Sequence, residues 1–183
     1  MILSRGIQRV LIAVFCLVLA AIYGIAWRAP SVGLFHDDGV YLVTAEAIVA
    51  GHGYTIDSLP QPIPQTKYPP VWPSALALFL LVSKQTQWLK LLPLLCTVGW
   101  LAVTWRLLRK MGASAGGAWL LVLITAASPT VVFLGTNLMS EPLFALLTAL
   151  ALLMLLDDRA LFAGLCAGLA TLTRAAGLPL IAA

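Results

Sequence analysis

Long apolar runs separated by short polar segments make up most of the chain. The first run, Val10 to Trp27, contains no charged residue and follows two arginines. Later runs predict further helices over Trp88–Trp105, Ala113–Phe133, Asn137–Leu156 and Ala160–Thr173. Because a helix that crosses the hydrocarbon layer needs roughly 20 mostly apolar residues, the pattern predicts about five membrane-spanning helices. A secretory signal peptide begins like the first run, but the length of that run and the apolar runs after it favour a retained span.

One further apolar run is too short to cross a membrane. Val71 to Val82 has twelve residues, or about 18 Å of helix, whereas the hydrocarbon layer is about 30 Å thick. We expect this run to form a helix in the outer interface, with Trp72 and Trp88 at the depth of the lipid headgroups. The side of the membrane on which every later loop lies depends on this assignment.

A polar segment separates the first span from this short helix. It runs from Arg28 to Pro70 and holds acidic residues, both histidines and several prolines. Lipid cannot satisfy such a backbone and its charges. Residues 28–87 are therefore predicted to form the first extracytoplasmic loop with its juxtamembrane helices. Within the loop, apolar positions at helical spacing predict a short helix from Gly39 to Ala50, ended by Gly51 and Gly53.

The composition agrees with a membrane protein. Apolar side chains make up 61% of the chain and charged ones 10%, against about 45–50% and about 25% in soluble domains. The mean hydropathy is +0.99. These values exclude a disordered, disulfide-rich or collagen-like chain, and together with the apolar runs they predict an all-α integral membrane protein lying in a lipid bilayer.

The charges indicate an orientation and exclude one class of partner. The formal net charge is +4, but the basic residues form no extended patch, so we expect no nucleic acid partner. The cluster from Arg106 to Lys110 is typical of a cytoplasmic loop. With that loop inside, the outer surface collects a set of ionisable residues: Asp37, Asp38, Lys67, Glu141 and Arg174.

Each acid in this set has a structural and a functional interpretation. Asp37 and Asp38 precede a helix, where either one could be the N-cap. A carboxylate there also stays ionised and could accept a proton from a hydroxyl or an amine. The triplet Ser140-Glu141-Pro142 is typical of a capped helix start, yet an acid at membrane depth is also a candidate functional residue.

The cations and histidines have the same two interpretations. Lys67 and Arg174 could extend their charged ends to the membrane surface without any further role. Together at one surface, they would suit an anionic phosphate. His36 and His52 have no spacing typical of metal ligands, and polar roles in the loop are favoured for both.

Several short motifs, taken in chain order, resemble one family. They are His36-Asp37-Asp38-Gly39-Val40-Tyr41, Gly51-His52-Gly53-Tyr54, Lys67-Tyr68-Pro69-Pro70-Val71-Trp72-Pro73, Ser128-Pro129, Ser140-Glu141-Pro142-Leu143 and Leu172-Thr173-Arg174. This order resembles the GT-C membrane glycosyltransferases, and is most similar to the branch of bacterial aminoarabinose transferases and protein O-mannosyltransferases. The resemblance covers the whole chain, and the shared order of the motifs is its main support.

The resemblance implies a fold, a reaction and a set of site residues. It implies a GT-C transmembrane helical module that takes a sugar from a polyprenyl-phosphate donor and transfers it to a lipid, glycan or protein acceptor. The reaction would occur on the extracytoplasmic face of a bacterial-type plasma (inner) membrane. Asp37 matches the key catalytic carboxylate of the family, with Asp38 and Glu141 in support. The substrate-binding residues that it implies are Lys67, Tyr68, Arg174 and Tyr41.

The sequence departs from the family pattern at two positions, and it ends within an apolar stretch. Thr66 stands where some relatives have an acid linked to a metal, so a divalent metal cofactor is left open. Arg174 replaces a lysine common in relatives, which changes its hydrogen-bond geometry. The residues from Gly177 onward begin another apolar stretch, so we expect residues 1–183 to be a truncated N-terminal part of the module.

Two other classes of function stay open from the sequence. One is a multi-span transporter or flippase that uses the outer charges as a gate, against which the predicted spans show no break and almost no midplane charge. The other is a membrane scaffold without catalysis, in which the acids only cap helices. The sugar, the acceptor and the oligomeric state are left open as well.

Overall fold

The computed structural model describes residues 5–29, 32, 33 and 35–181, with the backbone alone for residues 5–9, 11 and 12. Pro30, Ser31 and Leu34 of the predicted outer loop lie outside the described residues, as do Ala182 and Ala183 of the apolar ending. Over the described ranges the chain is mostly helical, which confirms an all-α fold apart from one small hairpin.

The helices and strands follow the apolar runs and the turns between them. In chain order they are α1 (Arg5–Arg28), α2 (Asp37–Val49), β1 (Thr55–Ile56), β2 (Ile63–Pro64), α3 (Val71–Val82), α4 (Thr86–Leu89), α5 (Leu91–Lys110), α6 (Ala115–Ala126), α7 (Pro129–Thr136), α8 (Glu141–Leu156), α9 (Ala160–Thr173) and a closing 3₁₀ helix (Ala175–Leu180). The two short strands pair antiparallel within the predicted outer loop.

Several predicted helices have bounds close to those observed. The bounds of α3 and α9 are the predicted ones, while α2 begins two residues early, at Asp37. Helix α8 begins at Glu141 instead of Asn137. A turn precedes it, in which the Met139 N–H donates to the Asn137 carbonyl at 2.7 Å. Pro142 then lies in the first helical turn, where a missing N–H has no cost.

The prediction of one continuous helix from Ala113 to Phe133 is wrong. Helices α6 and α7 are separate and meet at a bend of 66°. Pro129 cannot donate a backbone hydrogen bond, and it forces Ser128 out of the helical region, to φ −60° and ψ 130°. The Tyr23 hydroxyl of α1 donates to the Ala126 carbonyl at 3.2 Å near the end of α6, where carbonyls lack helical partners.

The described helices differ in how well their length suits a membrane. One helical stretch of the described residues, Thr86–Lys110, is long and apolar enough to cross a bilayer by itself. Helices α6 and α7 meet the same criterion only as one bent pair. Shorter apolar helices are Ala13–Arg28, α3, α8 and α9. The prediction of about five spans therefore continues to rest on the sequence pattern.

A hydrophobic core joins the predicted outer loop to the helices. It contains Tyr41 and Ala45 of α2, Trp72 and Leu76 of α3, and Leu138 before α8. The Trp72 indole N–H donates to the Leu138 carbonyl at 3.2 Å. Trp72 is fully buried, because α2 and the Leu138 segment cover it, and its depth in the membrane stays a prediction. This packing holds the loop against the start of α8.

Charged side chains connect the helix ends on both sides of the fold. Lys90 is buried, and its ammonium donates to the carbonyls of Trp27 at 3.0 Å and Ala29 at 2.7 Å. A cation at a helix C-terminus is favourable, so Lys90 fixes the end of α1 beside the start of α5. At the other end of α5, Lys110 forms an ion pair with Asp157, which directly follows α8.

Candidate functional site

The chain makes a tight turn immediately before α2. The Asp37 N–H donates to the Phe35 carbonyl at 2.6 Å, and His36 between them has φ 61° and ψ −53°. This is a γ-turn with positive φ, a conformation that costs a non-glycine residue roughly 1–3 kcal/mol. Neighbouring contacts must hold it in place, and the turn fixes the position at which the Asp37 side chain leaves the backbone.

Asp38 provides those contacts. Its side chain is fully buried, and its carboxylate accepts hydrogen bonds from the N–H groups of Gly33 at 2.9 Å, Phe35 at 3.2 Å and Gly39 at 2.8 Å. His36 occupies the N-cap position, so neither Asp37 nor Asp38 has the N-cap role that the sequence left open, and both lie in the first turn. Asp38 therefore shapes the turn on which Asp37 is carried.

The Asp37 carboxylate is surrounded by donors on one oxygen. The Tyr68 hydroxyl donates to Oδ1, and the Lys67 ammonium lies 3.9 Å from the same oxygen. His36 Nδ1 is 3.7 Å away from it. Among the described residues no side chain bonds to Oδ2. One oxygen of Asp37 is thus held in place while the other is available to a ligand.

A separate set of contacts holds the segment that carries Lys67 and Tyr68. The Tyr54 hydroxyl lies 2.9 Å from the Tyr68 carbonyl and 3.1 Å from the Pro69 carbonyl, and donates to them. The Lys67 N–H donates to the Gln65 side chain at 2.9 Å. The Tyr68 ring packs edge-on against Tyr41, with 4.8 Å between centroids. The outer hairpin and α2 together therefore position this segment.

The phenols in this region stay protonated. Burial raises the pKa of Tyr68, and the hydrogen bond to Asp37 and its negative charge raise it further. Burial also raises the pKa of Tyr54 to about 12. A phenol that keeps its proton can keep donating. Tyr68 therefore remains a hydrogen-bond donor to Asp37 throughout the neutral pH range.

A second acid and cation meet where α9 ends and α8 begins. Arg174 follows α9 in an extended conformation, and its Nη1 lies 2.8 Å from Glu141 Oε1. The same nitrogen donates to the Ser140 hydroxyl at 3.0 Å. Ser140 in turn shares a hydrogen bond of 3.1 Å with the Tyr41 hydroxyl. This network links α2, the start of α8 and the end of α9.

A close backbone contact fixes the position of Arg174. The closing 3₁₀ helix folds back onto the last turn of α9, so that a Cβ on Gly177 would lie 2.6 Å from the Thr171 backbone nitrogen. Only glycine fits in this space. The apolar stretch predicted to continue from Gly177 thus begins as a tight turn against α9, and it places the chain from Arg174 to Ala176 beside the outer loop.

These segments enclose one cavity of about 210 Å³. Its lining residues are Asp37, Tyr41, Lys67, Tyr68, Pro69, Thr173, Arg174, Ala175 and Ala176. Five of the seven predicted site residues are among them. Glu141 adjoins the cavity through Arg174, whereas Asp38 lies behind the turn. A space of this size with one carboxylate and two cations suits a small anionic group such as a phosphate.

The donor set does not fit a divalent metal. No group of three or more histidine, cysteine, aspartate or glutamate side chains could hold a metal ion within the part of the chain that the structure describes. The two acids at the cavity, Asp37 and Glu141, already face the cations Lys67 and Arg174. The carboxylate of Asp38 is engaged by backbone N–H groups. We derive no step through a metal.

One histidine of the loop makes a polar contact away from the cavity, as expected from the sequence. His52 pairs with Asp57 at 2.7 Å in the hairpin, and neither residue lines the cavity. Ser140 and Tyr54 are functional candidates that sequence reasoning did not select. Both lie within motifs of the family resemblance, but only their contacts in the folded chain distinguish them from a helix cap and a loop tyrosine.

The chain was compared with known protein families, curated proteins and solved structures. No protein-family model, curated protein or solved structure matches the chain.

Proposed function

We propose that this chain is part of a membrane glycosyltransferase of the GT-C type, and that its cavity transfers a sugar from a polyprenyl-phosphate donor. One observation carries the proposal. Asp37, Lys67 and Arg174, which are far apart in sequence, line one cavity of about 210 Å³. An acid and two cations at one small cavity are the groups that this reaction needs at its centre.

The surface of the helices supports a lipid environment. Large apolar side chains lie exposed along several helices, with exposed fractions of 88% for Val82, 73% for Leu161 and 59% for Leu95. Extended apolar surfaces of this kind are costly in water and favourable in hydrocarbon. In this proposal α1, α5, the bent α6–α7 pair, α8 and α9 cross the bilayer, and α3 lies in the outer interface.

The placement of charges supports the proposed orientation. The cavity lies where α8 begins and α9 ends, whereas the basic cluster from Arg106 to Lys110 lies at the opposite end of α5. Basic clusters favour the cytoplasmic side. The cavity would then face outward from a bacterial-type plasma membrane, where the head of a lipid-linked sugar meets the membrane surface.

In the proposed reaction, the cations bind the donor and the acid handles the proton. Lys67 and Arg174 bind the phosphate of the donor. The acceptor hydroxyl or amine attacks the anomeric carbon of the sugar as the bond from that carbon to the phosphate oxygen breaks. The acceptor's proton passes to Asp37, and the polyprenyl phosphate leaves with both electrons of the broken bond. The cations stabilise the negative charge that grows on the phosphate.

Tyr68 and Glu141 orient these groups in the proposed reaction. Tyr68 donates to one oxygen of Asp37, so the other oxygen can take the proton. Glu141 pairs with Arg174 and keeps that cation at the cavity in the absence of substrate. Asp38 supports Asp37 through the turn rather than at the reacting atoms.

The test is donor turnover by the chain in proteoliposomes. Polyprenyl phosphates that carry mannose, glucose or aminoarabinose are supplied together with a lipid and a peptide acceptor, and released polyprenyl phosphate is measured. We expect turnover by the natural chain and its loss in Asp37→Asn. Asp57→Asn, in the outer hairpin, is the matched control and should retain turnover. Near-normal turnover by Asp37→Asn, or none by the natural chain with any donor, would reject the proposal.

The break between α6 and α7 favours a second candidate, which is transport of a lipid-linked sugar. Interrupted helices are common at the substrate sites of transporters. A cavity of about 490 Å³ lies beside the break, with apolar lining residues that include Ala127, Pro129 and Phe133. Movement of a fluorescent lipid-linked sugar across vesicles, without a chemical product, would support this candidate over glycosyl transfer.

A further inference from the structure

Ser140 occupies the N-cap position of α8 but does not cap the helix. Its backbone has φ −80° and ψ −15°, and its side chain makes no capping hydrogen bond. Capping residues are normally extended, which lets the side-chain oxygen reach the free N–H groups of the first turn. In the helical conformation of Ser140 the hydroxyl is directed elsewhere. The ordinary explanation for a serine at this position therefore does not apply.

The Ser140 hydroxyl is instead committed to two side chains of the site. Ser140 is fully buried. It accepts a hydrogen bond from Arg174 Nη1 at 3.0 Å and lies 3.1 Å from the Tyr41 hydroxyl. A buried hydroxyl needs partners, because an unsatisfied one costs roughly 1–3 kcal/mol. The buried hydroxyl of Ser140 therefore depends on Arg174 and Tyr41 for its hydrogen bonds.

These contacts determine how the Arg174 guanidinium is oriented. Nη1 donates to Ser140 Oγ at 3.0 Å, and Glu141 Oε1 lies 2.8 Å from the same nitrogen as its ion-pair partner. Because the guanidinium is planar, a hydrogen bond and an ion pair at one nitrogen restrict the directions of the N–H groups on its other two nitrogens. Nη2 and Nε bond to no side chain among the described residues, and Arg174 lines the cavity.

We propose that Ser140 is a positioning residue that holds the guanidinium plane of Arg174 so that its free N–H groups bind the phosphate of the donor. This inference rests on the proposed function for the identity of the ligand. In this arrangement the carboxylate of Glu141 balances the charge of Arg174, and the hydroxyl of Ser140 sets the direction of its guanidinium plane. Tyr41 completes the arrangement by holding the serine hydroxyl from the side of α2.

The test is binding of farnesyl phosphate to the full chain in lipid nanodiscs. Farnesol, which lacks the phosphate, measures partition into the lipid. We expect the affinity for farnesyl phosphate to fall about tenfold in Ser140→Ala, close to the lower limit for the loss of one hydrogen bond to a charged group. Ser140→Cys keeps the volume with a weaker acceptor, so its loss should be intermediate, and it serves as the test if Ser140→Ala fails to fold.

A true helix cap supplies the matched control. The Ser114 hydroxyl accepts a hydrogen bond from the Gly117 N–H at 3.1 Å at the start of α6. Ser114→Ala should lower the thermal stability while the affinity for farnesyl phosphate stays within twofold. Equal losses of affinity in Ser114→Ala and Ser140→Ala would mean that Ser140 acts only through stability, which overturns the inference.

A second readout follows the network itself. In protein labelled with 3-fluorotyrosine, the resonance assigned to Tyr41 by Tyr41→Phe should shift on addition of farnesyl phosphate. The shift should be lost in Ser140→Ala and kept in Ser114→Ala. An affinity of Ser140→Ala within twofold of the natural chain, or no binding of farnesyl phosphate by the natural chain, would also overturn the inference.

The outcomes separate this inference from the transferase proposal. If the natural chain binds farnesyl phosphate through Ser140 but turns over no donor, the transferase proposal is rejected and the positioning role stands. If Asp37→Asn abolishes turnover while Ser140→Ala binds farnesyl phosphate normally, the positioning role is rejected and the transferase proposal stands.

Discussion

The two ends of the parallel pair formed by α5 and α8 both carry ion pairs, but the pair at the start of α8 adjoins the cavity described above, and the pair at its end satisfies itself. At the end where α8 finishes, Lys110 contacts Asp157, and its ammonium also lies 3.3 Å from the Leu156 carbonyl. These charges satisfy each other and the helix terminus. At the other end, Glu141 takes only one nitrogen of Arg174, and Asp37 keeps one oxygen free.

This comparison shows what distinguishes a site from a structural ion pair. Charge alone does not distinguish them, since an acid and a cation are in contact at both ends of α8. At the cavity end the partners come from separate segments and leave donors and acceptors facing a shared space. The outer loop supplies that space, because α2 and α3 fold onto the start of α8. No corresponding loop covers the α5–α6 turn in the part of the chain that the structure describes.

The largest expected effect is on stability, and it concerns Asp38. Asp38→Asn replaces a fully buried carboxylate that accepts three backbone N–H groups. Loss of the charge-assisted bonds, and an amide placed among donors, should lower the free energy of unfolding by about 3 kcal/mol. Asp157→Asn at the opposite end removes a more exposed pair and should cost less than about 1 kcal/mol.

Chemical denaturation in detergent, followed by circular dichroism, measures both variants. Similar stability losses in Asp38→Asn and Asp157→Asn would contradict the view that the turn before α2 depends on a buried carboxylate.

The next effect is on phosphate binding and concerns Arg174. A lysine there keeps the charge but cannot contact Ser140, Glu141 and a ligand with a fixed fork of donors. We expect Arg174→Lys to weaken farnesyl phosphate binding about tenfold, which corresponds to about 1.4 kcal/mol. Arg106→Lys on the opposite end of α5 should change the affinity less than twofold. Calorimetric titration in nanodiscs gives both values, and equal affinities for the two variants would remove Arg174 from the binding site.

The smallest effect is on the titration of Tyr68. Burial, the hydrogen bond to Asp37 and the charge of Asp37 all raise the pKa of Tyr68. Asp37→Asn removes the charge, so the pKa should move down towards the ordinary value of about 10. Because the folded state binds this proton more tightly, its contribution to stability is complete below about pH 10 and is lost as the pH rises towards the folded pKa.

Absorbance of phenolate at 295 nm against pH follows this titration, with Tyr68→Phe to assign the change. Asp157→Asn, which leaves the cavity intact, should give the curve of the natural chain. A Tyr68 that titrates near pH 10 in the natural chain would contradict its bond to Asp37.

The sequence predicts some elements well because their signals are local. The apolar run of α3 lies between Pro70 and Ser83, and that of α9 between two arginines, and the observed bounds match the predicted ones. The break at Ser128-Pro129 also has a local signal, but the apolar pattern continues across it and favours a single helix. Trp72 illustrates the opposite case, since its burial depends on Leu138, which lies 66 positions further along the chain.

The same distinction explains the outcome for the site. Five outer charges were predicted as neighbours, and three of them, Asp37, Lys67 and Arg174, line one cavity. Apart from the family resemblance, the local pattern does not distinguish two adjacent carboxylates, yet Asp37 lines the cavity and Asp38 is enclosed by backbone N–H groups. The hydroxyl of Ser140 could not be assigned either, because its direction depends on the backbone angles at the start of α8.

By itself, the sequence determined a helical fold and the types of residue available for chemistry. Apolar periodicity, proline and glycine act over a few residues, so the helices and turns that they produce can be predicted from a short stretch of sequence. Only the tertiary structure decided which acid faces the cavity, which serine orients a cation and which tryptophan is covered. Those outcomes depend on contacts between α2, α8 and the end of α9, where burial and hydrogen bonding are settled by neighbours distant in the chain.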